Sequence, residues 1–309
     1  MKMNIIISAL ITLSMVASNS CSKSDNGGGN LWNGGGGGST PSSPYSYHKK
    51  SDNTIRLMTY NSFYCKGNNG DASKNGFTAL NTANFARVIK ALSPDMISIQ
   101  ELDWHVSDRG NRELLNDIAD ATGEKWKVVF GQAADYAGGK IGPGMLIKES
   151  ALSRLGFKKV TTVPIAGKEK RILIIAEFDK LVFIATHLDT DDTQRAVSAR
   201  SVINEADRFM NAKPVFLAGD LNDSPAWAGG GAAFPILKEK FVIKSATDGT
   251  LPAQPDQNID YILYDANGTD FINFEESHVV KALLFGDSLE KLDTVSDHYP
   301  VILDINLKK

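Results

Sequence analysis

The sequence predicts an α/β fold in a single domain over residues 52–309, on three observations. Short apolar runs of strand type alternate with amphipathic helical stretches or hairpins along that span. Neither a linker nor a short fixed repeat interrupts it after Asn53. With 309 residues, 42% hydrophobic and 22% charged, the chain has apolar material for a large core.

In order, Ile55–Tyr60 alternates as a strand and delivers Asn61 at its end. Thr78–Leu92 reads as an amphipathic helix, with Leu80, Ala83, Val88, Ile89 and Leu92 near helical spacing and Pro94 stopping it. Met96–Gln100 is a buried-type strand that delivers Glu101. Arg112–Thr122 is a second helix, ended by Gly123. Trp126–Phe130 and Gly144–Ile147 read as strands joined by the glycine-rich segment Gly138–Gly142. Arg154–Val163 and Ile172–Phe178 form an expected hairpin, and Leu181–Thr186 follows at once to deliver His187. Gln194–Met210 is a long helix. Val215–Gly219 delivers Asp220, Ile259–Leu263 holds Asp260 near its start, and Val301–Ile305 closes the chain.

The N-terminal part has a different character. Residues 1–20 read as a secretory signal, with Lys2 as a positive n-region and Ile5–Val16 as an apolar stretch too short to span a bilayer. Ser18 and Ser20 lead to Cys21, which resembles a bacterial lipobox, although Ser18 stands where Leu is usual. Cys21 is the expected lipid attachment point, anchoring an exported protein to the cell envelope, at the outer membrane or cell surface. An ordinary signal peptide with a nearby cysteine is the alternative. The other cysteine, Cys65, then has no partner within the chain and reads as a small buried thiol. Residues 21–51, rich in Asn, Ser and Gly, cannot offset their ordering entropy and read as a flexible tether reaching roughly 30 Å. The run Gly34–Gly38 has no strand before it and no helix after it, so it is not a phosphate cradle. A net charge of -3 provides no footprint for gripping nucleic acid over a long surface, yet leaves room for a small phosphorylated substrate. A monomer is expected.

The chemistry lies at the strand ends. Glu101, His187, Asp220 with Asn222, Asp260 and the pair Asp297-His298 all follow or sit within apolar runs. Charges at the mouths of core strands are costly unless paired or metal-bound. If those runs are neighbouring strands, the polar groups converge at one edge. Oxygen donors such as Glu101, Asp297 and Asn61, with water, suit a hard cation such as Mg²⁺ or Mn²⁺. Two histidines with acids to orient them suit proton transfer and charge stabilisation at a phosphoryl group. Zinc is disfavoured, since there is no HExxH pair and no cysteine cluster, and no serine sits in a nucleophile elbow.

LMTYN ending at Asn61, ISIQE at Glu101, ATHLD around His187, LAGDLND around Asp220 and Asn222, IDYIL around Asp260 and SDHYPV around Asp297 and His298 occur in this order. Together they resemble the endonuclease/exonuclease/phosphatase family, which includes deoxyribonucleases, abasic-site endonucleases, sphingomyelinases, inositol-polyphosphate phosphatases and nocturnin-like deadenylases. The resemblance implies a four-layer sandwich of two packed mixed β-sheets flanked by helices. It implies Glu101 as the main metal carboxylate, with Asn61 and Asp297 near the ion or phosphate. It also implies that Asp260 holds His298, that Asp220 positions or activates water, that Asn222 bonds a phosphate oxygen, and that His187 stabilises the pentavalent state or serves the leaving group.

The deoxyribonucleases place an acid where this chain has Ile141–Leu146, so that closer analogy is weakened. Further substrate contacts are expected from Tyr136, Lys148, Arg195 and Trp227, each with a plainer alternative: a surface tyrosine, a solvated strand end, a helix-surface arginine and a core indole. Lys158, Lys159, Lys168, Lys170 and Arg171 read as a solvated basic face. The expected activity is hydrolysis of a phosphodiester or phosphomonoester by water. A secreted nuclease acting on DNA or RNA and an inactive surface-binding lipoprotein are the alternatives.

Overall fold

The computed structural model describes residues 45–265 and 271–308. The expected signal sequence, Cys21 and most of the expected tether lie outside the described residues. Tyr45–Lys50, assigned to the tether by composition, belong to the folded unit. Arg56 Nη1 donates to the Tyr47 carbonyl at 2.6 Å, and Lys49 Nζ donates to Asp95 Oδ2 at 2.6 Å. Partners distant in sequence order this stretch, which composition alone cannot reveal.

The first half of the fold runs β1 (Ile55–Asn61), α1 (Ala79–Leu92), β2 (Met96–Trp104), α2 (Leu114–Thr122), β3 (Trp126–Phe130), β4 (Ala134–Tyr136), β5 (Gly139–Lys148) and α3 (Glu149–Leu155). Next come β6 (Phe157–Ile165), β7 (Arg171–Phe178), β8 (Val182–His187), α4 (Asp192–Ala206), β9 (Val215–Asp220), α5 (Phe234–Leu237) and β10 (Phe241–Ile243). The chain closes with β11 (Asp260–Asp265), β12 (Ile272–Val279), β13 (Ala282–Phe285), β14 (Ser288–Lys291) and β15 (Val301–Leu307).

Two large sheets result. One has the order β12-β15-β1-β2-β5-β3, with β4 paired to β5; the other is β10-β11-β9-β8-β7-β6. Each is mixed, because β1/β2 and β8/β9 are parallel while the other pairs are antiparallel. Strand alternation sorts the side chains into layers. Leu57, Met145 and Ile305 of the first sheet meet Phe183, Phe216 and Ala218 of the second in a shared interior. Met58, Tyr60, Ile97 and Ile99 point the other way, onto Phe85, Ile89 and Leu92 of α1 and Leu115 and Ile118 of α2. On the far side, Leu173, Ile184, Val215 and Leu217 pack against Ala199, Val202 and Ala206 of α4. The four-layer sandwich is what the structure shows.

Details depart from expectation for identifiable reasons. Leu80 is 69% exposed, and Phe85 supplies the apolar face instead. The expected hairpin start at Arg154 is the end of α3, which Gly156 closes in the left-handed region at φ 70°. The glycine segment after Gly138 is not a loop but the first part of β5. A side chain at Gly142 would sit 1.9 Å from the Gly131 carbonyl oxygen, so only glycine lets the two backbones approach there. α4 begins two residues earlier than expected and stops at Ala206 rather than Met210.

A buried ion pair joins the first and last strands of the sandwich. Arg56 and Asp304, 2% and 3% exposed, face each other across β1 and β15 with two hydrogen bonds of 2.7 Å. Asp304→Ala would strand the guanidinium in the core and is expected to lower stability by about 3 kcal/mol. Urea denaturation reads this directly, and an unchanged midpoint would refute it.

Candidate active site

Topology explains why distant residues meet. Parallel pairing of β8 with β9 sets His187 beside Asp220, and antiparallel β11 begins where β9 ends, setting Asp260 opposite Asp220. In the other sheet, parallel pairing of β1 with β2 puts Asn61 beside Gln100, and β15 starts against the end of β1, so that Asp297 and His298 precede it at the same edge.

Glu101 needs a special device. Strict alternation would turn its side chain toward the helices. The β2/β5 register shifts between Ile99 and Leu102, and Glu101 adopts φ 57°. Ile99 and Leu102 both pack toward the helices, leaving Gln100 and Glu101 to face the opposite way. Ser62 locks the bulge, its N–H donating to the Gln100 carbonyl at 3.0 Å and its hydroxyl to the Glu101 carbonyl at 2.7 Å.

Asn61 ties the two sheets together. Its Nδ2 donates to Glu101 Oε1 at 3.2 Å and to Asp220 Oδ2 at 3.0 Å. The Phe63 N–H donates to Asn61 Oδ1 at 3.0 Å, which fixes the amide orientation. Expected as a metal ligand, Asn61 therefore presents its amino group to the carboxylates, and its oxygen is already engaged. His298 Nδ1 donates to Asp260 Oδ2 at 2.8 Å, and its Nε2 lies 3.8 Å from Asp220 Oδ2. Asp297 Oδ1 is 4.0 Å from the same nitrogen, at the more open rim. Asp220 Oδ1 accepts the Asn222 N–H at 2.8 Å. Asn222 Nδ2 donates to the Leu188 carbonyl and to His187 Nε2, both at 3.0 Å. His187 Nε2 is thus an acceptor, and the ring proton sits on Nδ1. The leaving-group role expected for His187 has no free N–H at Nε2 in this arrangement.

The profile of the Endonuclease/Exonuclease/phosphatase family matches residues 58–298, a span that takes in all of these groups. The chain belongs to the endonuclease/exonuclease/phosphatase family. Solved structures agree in fold. A family member from Bacteroides vulgatus superposes with TM-score 0.61 at 17% identity, covering 82% of this chain and 99% of the other. A mannosyl-6-phosphatase from Bacteroides thetaiotaomicron gives 0.59 at 17% identity, covering 81% and 99%. The human nocturnin catalytic domain with bound sulfate gives 0.58 at 15% identity, covering 86% and 97%. No curated protein sequence matches the chain.

Members of the endonuclease/exonuclease/phosphatase family are divalent-metal-dependent hydrolases of phosphoester bonds. The donor set here fits a hard cation. Ligand atoms of Asp220, Asp260 and His298 lie within 4.8 Å of one another, and Asp260 Oδ1 is buried with no hydrogen-bond partner among the described residues. Glu101 adds a further carboxylate from the first sheet. Burial and the Asp297 charge raise its carboxyl above the ordinary range, a tension that a cation would relieve. Burial and the neighbouring Asp260 charge raise Asp220 to about 7. For His298, burial alone disfavours the charged ring, but the Asp260 carboxylate, helped by Asp220 and Asp297, overrides it and lifts the ring to about 10. Burial, then Arg171 and His298, push His187 well below its usual range, so it stays neutral.

The secondary candidates separate. Lys148 lies at the far end of β5, since antiparallel pairing sets Ile147 against Met96 at the start of β2. Its Nζ is held by Ser93 and Glu124 at 2.9 Å each, away from the family site. Arg195 is 3% exposed and turned into the loop after β8, donating to the Thr190 carbonyl at 2.6 Å and also bonding Asp192. It braces that loop, with Nε 3.7 Å from Asp223 Oδ1 in the loop after Asn222. Trp227 is not a core residue; it is 37% exposed on the loop after Asn222, with Nε1 donating to Gln257 Oε1 at 2.7 Å. Tyr136 lies exposed on β4, its hydroxyl donating to Asp108 Oδ2 at 3.3 Å. Arg171, expected on a solvated face, is largely buried instead. Its charge acts on both Glu101 and His187, and its Nε has no hydrogen-bond partner among the described residues. Antiparallel pairing of β7 with β8 was the available signal, because it returns Arg171 to the end that carries His187.

Proposed function

We propose that this protein hydrolyses a phosphodiester or phosphomonoester by direct attack of water, with a divalent cation such as Mg²⁺ or Mn²⁺ held by Glu101 and neighbouring carboxylates. The observation that carries this reading is the buried Asp260–His298 pair facing Asp220, with Asn61, Glu101, Asn222 and His187 around it. The cation would polarise the phosphoryl oxygens and neutralise developing charge. Asp220 is poised to accept a proton from water near neutral pH. The His298 N–H at Nε2, oriented by Asp260, binds a phosphoryl oxygen. Asn222 and His187 fix the loop that follows Asp220, and Arg171 adds positive charge behind them. Likeness in fold to a phosphatase and to a sulfate-binding nocturnin domain supports the phosphoester class.

The test compares p-nitrophenyl phosphate with bis-p-nitrophenyl phosphate, with Mg²⁺ and with chelator, followed by phosphorylated sugars, lipids, inositols and oligonucleotides. Chelator-sensitive turnover of any of these supports the reading. No turnover together with no calorimetric metal binding would favour a binding protein instead.

Asp220 also links stability to pH. Its folded value of about 7 lies above the ordinary carboxyl value, so its neutral form is favoured in the fold. Metal-free protein loses that contribution as pH rises from about 4 through about 7. Asp220→Asn is expected to raise the thermal midpoint at pH 8, with the difference from the natural protein shrinking toward pH 4, while turnover falls. A variant less stable at pH 8 would show that the carboxylate is held by compensating charge.

A further inference from the structure

Against Tyr64, which feels the Glu101 charge, lies a cationic group that the roles above do not use. Arg109 ends the single turn Ser107–Arg109 that follows β2. Its guanidinium carbon lies 3.7 Å from the ring centroid of Tyr64, 4.5 Å from that of Tyr136 and 5.7 Å from that of Phe77. Nη1 of Arg109 is buried with no hydrogen-bond partner among the described residues. Nearby Arg112 is engaged through Nη2, which donates to Asp103 Oδ2 at 2.7 Å and to the Tyr64 carbonyl at 3.0 Å. Among the described residues no carboxylate forms an ion pair with Arg109, although its charge acts on Asp103.

A second observation concerns how this cluster is held. Phe63, Tyr64 and Cys65 run consecutively at φ 50°, 52° and 48°, directly after Asn61 and Ser62. His105 and Asn111, at φ 53° and 54°, bracket the Arg109 turn, and Ala137 at φ 42° follows Tyr136. Non-glycine residues rarely adopt this region unless their surroundings impose it. Here they do. The Cys65 N–H donates to the Ser62 carbonyl at 2.8 Å, the Asn111 N–H to the Val106 carbonyl at 2.9 Å, and both the N–H and the hydroxyl of Ser107 to the Ala137 carbonyl at 3.2 and 2.8 Å. Three segments distant in sequence are pinned together around one guanidinium. Tyr64 joins this cluster to the site, since burial and then the Glu101 charge push its phenol up to about 12.

We propose that Arg109, framed by Tyr64 and Tyr136, is a second anion-recognition subsite that takes an additional phosphate or carboxylate of the substrate, separate from the phosphoester being cleaved. The inference rests on the phosphoesterase reading for the first group and narrows the substrate class to molecules carrying two separated anionic groups. The planar donor fork of a guanidinium suits phosphate and carboxylate alike. The flanking rings exclude water on their side, which strengthens a charge-assisted hydrogen bond. The exposed Tyr136 hydroxyl supplies a further donor at the mouth, where it now bonds Asp108.

The test uses ligands that cannot be hydrolysed: propylphosphonate, propane-1,3-diphosphonate and 3-phosphonopropionate. Each is titrated calorimetrically into the folded protein at fixed free Mg²⁺. The natural protein is expected to bind at least one of the doubly anionic ligands about tenfold more tightly than propylphosphonate, and which one distinguishes phosphate from carboxylate. In Arg109→Gln that preference should fall to near unity, and Arg109→Lys should keep part of it. Equal affinity of the natural protein for all three ligands overturns the subsite, as does a preference that survives Arg109→Gln. The first comparison needs no variant to fold. A failure of propylphosphonate to bind, or binding unaffected by Glu101→Gln, counts instead against the phosphoesterase reading.

Discussion

His298→Ala is expected to lower kcat by about 10³ with little change in the fold, the range lost when a positioned proton-transfer or charge-stabilising group is removed. The ring is 6% exposed, its Nδ1 held by Asp260 at 2.8 Å and its Nε2 aimed past Asp220 into the site. Removing it deletes the group that faces the phosphoryl oxygens and leaves the Asp260 carboxylate, 0% exposed, without its donor. That second effect costs stability of about 1–3 kcal/mol, so circular dichroism and thermal midpoints must accompany the kinetics. Asp260→Asn separates the two effects, because it keeps the shape and weakens only the orientation of the ring. Its loss in kcat should be smaller than that of His298→Ala. Turnover within a factor of three of the natural protein in His298→Ala would remove the imidazole from the chemistry.

Glu101→Gln is expected to weaken the apparent Mg²⁺ affinity by about 10²-fold, since affinity at hard-cation sites follows the charge of the ligand set. The change is nearly isosteric, and the bulge that aims the side chain is held by bonds from the Ser62 N–H and hydroxyl to backbone carbonyls. Activity should therefore return in part at high Mg²⁺. Without metal the variant should be at least as stable as the natural protein, because the buried carboxyl it replaces is already held above its ordinary range. Kinetic and calorimetric metal titrations read both effects. An unaltered Mg²⁺ dependence would place the cation elsewhere.

Much of this was legible in the sequence because strands that deliver a polar group at their ends announce themselves locally. Val182–His187 and Val215–Asp220 are apolar up to the last residues, Ile55–Asn61 is largely so apart from Arg56, and Asn61 and His187 both approach Asp220. What was hidden depends on partners far along the chain. Lys148 looked equivalent to other strand-end groups until the antiparallel direction of β5 carried it to the opposite edge. Arg171 looked like one of several hairpin cations, and only pairing with β8 turned it inward. The β2 bulge has no local signal, since nothing in ISIQEL says that Ile99 and Leu102 share a face. The β12–β14 region has little local signal, because β13 and β14 are four residues each and β12 alternates poorly.

Two of the bonds that complete the centre cross from one sheet to the other: Asn61 reaches Asp220, and His298 reaches Asp260. The two sheets are thus stitched along a single seam, and a slide of even an ångström between them would unfasten the machinery before either sheet lost a ladder bond. Occupancy of the cleft should therefore act as a clasp, slowing amide exchange in β1 and β9 together rather than in the loops that touch the ligand. It also means that neither sheet can be tuned on its own, because each holds only one side of the fastening.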